Sequence, residues 1–207
     1  MEIVKEINKV KKTNIKDLID NRVLSFEKLG KSGIKNIFSE LCFCIMTANF
    51  NAERSILIQK KIEPSILNCT CNFLTKNLKI CGHRFPNTRA KYIYEARAKL
   101  PLLLEKLKII RDDKEAREWI VKNVKGLGMK EASHFLRNIG RKNCAIIDFH
   151  IIDLLVKNKI IKRPKSITKK IYLEIEEILS SLAKKLKMSL AELDLYLWYL
   201  ETGKVLK

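Results

Sequence analysis

Period-2 alternation of apolar residues is nearly absent from this sequence, which leaves β-strands without their usual signature. No apolar run suits a bilayer. The longest, Leu41 to Ala48, is interrupted by Thr47 and falls far short of the ~20 residues a span needs. The opening "MEIVKEINKVKK" carries acids and lacks the hydrophobic centre of a secretion signal, so an intracellular, cytoplasmic protein is expected. In that setting the six cysteines are read as reduced thiols, not as a disulfide framework. A zinc knuckle is disfavoured as well, because Cys69, Cys71, Cys81 and His83 have C-x-C and C-x-H spacings in place of C-x₂₋₄-C. No run of four closely spaced cysteines is available for an iron–sulfur cluster. Repeats, low-complexity tracts and flexible linkers are also missing, so residues 1–207 are read as one unit.

What the sequence has in excess is positive charge. Lys+Arg number 42 against 23 acids, a net charge of +19, which favours a polyanionic partner, either nucleic acid or an anionic membrane surface. At 46% hydrophobic residues, with mean hydropathy -0.13, the chain still buries a real core.

Helical spacing runs almost throughout. Ile3, Ile7 and Val10 mark one stripe, and Ile15, Leu18 and Ile19 begin another. Ile34, Ile37, Phe38, Leu41 and Ile45 predict a helix that becomes apolar all round and is therefore central. "ICGHRFPNTRA" reads as an exposed loop, and Pro101 as a bend or restart. Asp112 with Glu115 predicts a capped start, as does Ser189 with Glu192, and Ser166 is read as the start of a long helix. The fold class is all-α.

The most informative stretch is "VKGLGMKEASHFLRNIG", Val124 to Gly140. Gly126 and Gly128 bracket a tight turn between two helices, a helix-hairpin-helix whose free amides at the second helix suit a DNA phosphate. Lys130 stands in the first turn of that second helix, where the helix dipole disfavours a spectator cation. Such a position suits an amine that works as a nucleophile. A lysine that merely touches phosphate explains the charge alone. Asp148 lies eighteen residues on, after "CAII", and a carboxylate there either caps a helix or faces the lysine across the fold. Amine plus carboxylate is the pair that glycosidic cleavage with covalent capture of C1′ requires.

"VKGLGMKEASHFL" together with "IIDFHI" resembles the helix-hairpin-helix/Gly-Pro-Asp superfamily of DNA base-excision glycosylases. Within it the chain is similar to the archaeal and bacterial type-2 8-oxoguanine DNA glycosylase/AP lyases. Lys125 stands where many members have proline, and no proline precedes Asp148. The resemblance implies two closely packed helical lobes with the active site between them, approximately 30–140 (hairpin 117–140) and 1–29 plus 141–207. It implies Lys130 as nucleophile and Asp148 as activating acid, acting on double-stranded DNA that contains 8-oxoguanine. A monomer and a nucleoid location are expected. No cofactor is required for the chemistry, and a monovalent cation on the hairpin carbonyls near Lys122, Val124 and Gly128 is implied by the family alone. The same chemistry on another oxidised base, or a non-catalytic DNA-binding module, are the competing readings.

An enzyme of this kind extrudes its target base, fills the gap and reads the lesion. "TANFN" resembles the segment that plugs the vacated space, which makes Asn49 the candidate plug, with Asn49 or Asn51 as a plain helix cap the alternative. Arg54, Arg84 and Arg89 are assigned to DNA contact by the resemblance. Phe85 is a candidate wedge or stacking ring, or else a loop anchor. Trp198 is either core or, as the resemblance implies, a ring stacked on the flipped base, with Lys207 contacting that base. An acceptor for the N7–H of the lesion rejects guanine. A terminal carboxylate or a backbone carbonyl serves equally well. His150 is a candidate phosphate contact, and His83 and His134 are read as surface or loop histidines.

Overall fold

The computed structural model describes all residues, 1–207, as twelve α-helices with one 3-10 turn and no strand. They are α1 (Glu2–Val10), α2 (Ile15–Gly30), α3 (Ile34–Thr47), α4 (Ala52–Ile62), α5 (Cys71–Ile80), α6 (Pro86–Ala98), α7 (Leu100–Ile109), α8 (Asp113–Asn123), α9 (Met129–Asn138), α10 (Phe149–Lys157), α11 (Lys169–Leu186) and α12 (Leu190–Thr202). No helix is long and apolar enough to cross a membrane.

The local signals explain most boundaries. Asp112 accepts from the Glu115 amide at the start of α8, and Ser189 with Glu192 forms a full capping box on α12. Pro101 sits in the first turn of α7, shortly after α6 has ended. The start of α11 differs from the sequence reading. Thr168, not Ser166, is the cap, because its hydroxyl accepts from the Ile171 amide. "ICGHRFPNTRA" is a loop only briefly, since α5 runs to Ile80 and α6 starts at Pro86.

Burial divides the apolar residues into two cores. One comprises 27 residues between Ile37 and Cys144, centred on α3, which is buried from Ile37 to Thr47. The other comprises 22 residues and joins the first two helices (Ile3 to Phe26) to the last three (Ala145 to Leu197). The two approach closely where the end of α2 crosses the end of α9. A Cβ on Gly30 would stand 2.0 Å from the Ile139 carbonyl oxygen, so the crossing tolerates no side chain. We predict that Gly30→Ala lowers stability by about 3 kcal/mol. Gly33→Ala, where a Cβ meets nothing within 4 Å, costs less than about 1 kcal/mol. Urea unfolding midpoints of the two variants check the contrast.

Candidate active site

A cavity of about 820 Å³ lies between the two lobes and is lined by residues of both. Its size falls within the range of small-molecule sites. The hairpin supplies the first contribution. Gly126 adopts φ +87, and a Cβ there would come within 2.5 Å of the Tyr92 ring, so this turn needs glycine. Gly128 caps α9 without a side chain, leaving amides of the first helical turn free toward solvent. Lys130 follows in that first turn and lines the cavity, its side chain three-quarters buried and its Nζ 3.8 Å from Glu131 Oε1.

A second part of the wall is the segment that ends in Asp148. It has no regular structure, so its backbone is held by side chains. The Ala145 amide donates to Glu176 Oε1 at 2.8 Å, the Tyr172 hydroxyl donates to the Ala145 carbonyl at 2.7 Å, and the Ile147 amide donates to the same hydroxyl at 3.3 Å. Asp148 then caps α10, its Oδ1 accepting from the Ile151 amide at 3.0 Å, while the residue also lines the cavity. The cap is thus present, and the same residue lines the cavity that Lys130 lines. One carboxylate oxygen fixes the helix, and the residue faces the space shared with Lys130.

Of the catalytic, base-reading and DNA-contact residues expected from sequence, Asn49, Lys130, Asp148, His150, Trp198 and Lys207 line this cavity. Asn49 takes the left-handed conformation, φ 57, in the turn after α3, whereas Asn51 is the cap of α4 and accepts from the Arg54 amide. The capping choice between the two asparagines is thereby settled. Trp198 is half-buried on the cavity wall, its ring edge-on to His150 at 5.0 Å, with a buried indole N–H that has no acceptor. It is a wall residue and not a member of either core.

Phe85, Arg54, Arg84 and Arg89 are not brought to this cavity. Phe85 is the residue before α6, its amide bonded to His83 Nδ1 at 3.0 Å, and Arg84 lies 5.0 Å from its ring centroid. Arg89 is buried and donates to the Ala48 carbonyl at 2.7 Å, which braces the turn that presents Asn49. Arg54 is exposed at the start of α4. The four thiol and imidazole groups considered for zinc do not assemble, and no group of three or more His, Cys, Asp or Glu side chains is placed to hold a metal.

Both histidines read as surface residues are buried. His83 points its Nε2 at the Met46 carbonyl, 2.9 Å away. His134 lies one turn beyond Lys130 on the inner face of α9 and lines the cavity, with neither ring nitrogen hydrogen-bonded. Its place in "ASHFLRN", three residues before an arginine, looks like an ordinary helix face, and only packing reveals it. Burial pushes its pKa well below the ordinary value, and the charges of Arg137, Lys130 and Lys207 push the same way, while a backbone oxygen of Lys207 opposes them. The ring is therefore neutral.

Two further groups carry no clear mark in the sequence. Asp194 on α12 is paired with Arg137 and has its pKa pushed up to about 6, first by burial and then by the Asp148 charge, with Arg137 pulling against both. Phe149, next to Asp148, is 71% exposed at the cavity, more than any other large apolar side chain. Its place as an aromatic directly after an acid is the one sequence feature that points to it.

A neutral buried imidazole has a pH signature. Below the ordinary value of 6.5 the unfolded chain binds a proton that folded His134 rejects, so stability falls as pH falls, approaching about 1.4 kcal/mol per pH unit. Replacing His134 with phenylalanine removes that part of the acid loss. Urea midpoints of parent and variant, compared from pH 7 to pH 5, check this. The Asp194 contribution runs in the opposite direction and is common to both proteins.

Comparison with known proteins supplies the context for this arrangement. The family model described as 8-oxoguanine DNA glycosylase matches residues 19–188. The 8-oxoguanine DNA glycosylase/AP lyase of Korarchaeum cryptofilum is 45% identical over 207 residues, covering all of this chain and 98% of that protein. The protein of the same name from Methanocaldococcus jannaschii is 46% identical and covered in full. A crystal structure of the latter, in complex with 15mer DNA containing 8-oxoguanine, superposes with a TM-score of 0.96 over the whole of both chains.

Proposed function

Because the chain belongs to the 8-oxoguanine DNA glycosylase family, we propose that Lys130 and Asp148 excise 8-oxoguanine from duplex DNA and then cleave the strand. The enzyme is an 8-oxoguanine DNA glycosylase with AP lyase activity. The observation that carries the residue assignment is that one cavity between the lobes is lined by Lys130, Asp148 and Trp198 together.

In this reading Lys130 Nζ bonds to C1′ as the C1′–N9 bond breaks, and the base leaves with the electron pair and takes up a proton. Asp148, which lines the same cavity, stabilises the positive charge that develops on the sugar. Opening of the sugar at O4′ gives the imine, after which a proton leaves C2′ and the 3′ carbon–oxygen bond breaks. Trp198 offers a ring for the extruded base to stack on. Asn49 is aimed from the neighbouring turn to fill the gap left in the duplex. His150, exposed at the start of α10, and the hairpin amides take the flanking phosphates.

The hairpin carbonyls of Lys122, Val124 and Gly128 suit a monovalent cation. No backbone amide bonds the Lys122 oxygen, Val124 receives only a 3.4 Å contact from Leu127, and the Gly128 oxygen accepts the Ala132 amide at 2.9 Å, which leaves it one lone pair for a cation. A cation held there stiffens the hairpin against a phosphate, and the chemical steps proceed on side chains alone.

We predict that Lys130→Gln abolishes cleavage of an 8-oxoguanine duplex while affinity for that duplex persists. Asp148→Asn keeps the cap of α10, since asparagine caps as well as aspartate, yet slows excision by about 10²–10⁴-fold. Single-turnover cleavage and urea midpoints on the same preparations check both. Full rate in either variant contradicts its proposed role, and unfolding of Asp148→Asn reduces that residue to a helix cap.

A further inference from the structure

The segment after α12, Gly203 to Lys207, forms part of the cavity wall through Lys204, Leu206 and Lys207. It has little of its own to hold it there. Beyond the Lys204 amide, which reaches Thr202 Oγ1 at 3.3 Å, residues 205–207 take part in no backbone–backbone hydrogen bond. Val205 touches the second core, and the Lys204–Glu53 pair is exposed on both sides, a kind of contact that contributes little.

Lys207 is anchored differently. Its Nζ donates to Glu40 Oε2 at 2.8 Å and to Gln59 Oε1 at 2.5 Å, and it lies 4.3 Å from the centroid of the Phe43 ring. Both acceptors belong to the other lobe, on α3 and α4, and both are buried, Glu40 to 1% exposure and Gln59 to 8%. They are themselves fixed. Asn138 donates to Glu40 Oε1 at 2.6 Å, and Gln59 Nε2 donates to the Ser39 carbonyl and hydroxyl at 3.0 Å, which sets its carbonyl oxygen toward the lysine. The Phe43 ring is met in turn by His134, edge-on at 5.6 Å.

A buried carboxylate is costly unless it is paired and hydrogen-bonded. We propose that Glu40 and Gln59 are specificity-determining positioning residues: a clamp in one lobe that grips the Lys207 ammonium and so holds the 203–207 segment of the other lobe against the extruded base. The inference rests on the reading that the cavity takes that base. Glu40 and Gln59 are not among the residues that line the cavity with Lys130 and Asp148, so loss of the clamp disturbs reading of the base before it disturbs chemistry at C1′. Loosening a positioning group by about 1 Å costs on the order of 10²-fold in rate at most.

The test compares excision from an 8-oxoguanine duplex with nicking of a preformed abasic site, which needs no base to be read. Glu40→Gln and Gln59→Leu are expected to lower excision about tenfold or more and to leave nicking within about twofold. Lys207→Met should reproduce the excision loss, and adding Glu40→Gln to it should cause no further loss. Equal falls in excision and nicking, unchanged excision, or single losses that multiply in the double variant each overturn the clamp. A second measurement judges the clamp apart from the substrate: trypsin release of Val205–Lys207 from the folded, DNA-free protein should be about tenfold faster in Glu40→Gln than in the parent. An unchanged release rate overturns it. A parent that nicks abasic sites but leaves 8-oxoguanine in place contradicts the proposed function, and the release rate then still decides the clamp.

Discussion

The ion pair between Arg117 and Glu176 is the contact on which the geometry of the site depends. Arg117 belongs to α8 in one lobe and Glu176 to α11 in the other, and both side chains are wholly buried. The pairing is bidentate, at 2.5 and 2.8 Å, and Glu176 also receives the Ala145 amide. One carboxylate therefore ties together the two lobes and the segment that delivers Asp148. Removing one partner of such a pair leaves a buried charge uncompensated, at a cost of about 3–5 kcal/mol. Apolar burial alone does not set this register, because each lobe has its own core and the crevice between them has to stay open for substrate.

A second pair, Arg137 in the last turn of α9 with Asp194, repeats the device, so that helix is pinned to α12 across the crevice. From Arg137 the hydrogen bonds continue through Asn138 to Glu40, and from Glu40 to Lys207. The wall behind the cavity is thus a chain of charged and amide groups, each satisfied by the next. Such a wall is more directional than an apolar one. It presents Lys130, neutral His134 and the 203–207 segment in one orientation toward the crevice. Rigidity of this kind suits a reaction in which a nucleophile has to meet one sugar carbon among many.

The part of this architecture legible in the sequence is the part encoded locally. Helical periodicity, the Ser189–Glu192 box, the Gly126–Gly128 bend and the unusual placement of Lys130 are short-range patterns, and each has a mechanism that works without knowledge of the fold. Asp148 is legible for the same reason, as an acid at a helix start. The residues that sequence reasoning misses act at long range. Glu40, Gln59, His134 and Asp194 each sit on a helix with nothing in their neighbours to mark them as buried and paired, and their partners lie 19 to 167 positions away or are absent. Arg89, assigned to DNA contact by the resemblance, likewise has a partner that no local pattern marks: from α6 it turns inward to the Ala48 carbonyl, 41 residues distant.

The central claim is that the ε-amine of Lys130 forms the covalent bond to the deoxyribose. The most direct measurement is borohydride reduction of the protein mixed with an 8-oxoguanine duplex, followed by tryptic digestion and mass mapping of the peptide that carries the sugar adduct. The adduct is expected on Lys130, within the Gly126–Arg137 region, and on no other lysine. An adduct mapped to a different lysine, or an excised base without any trapped peptide, would contradict the account.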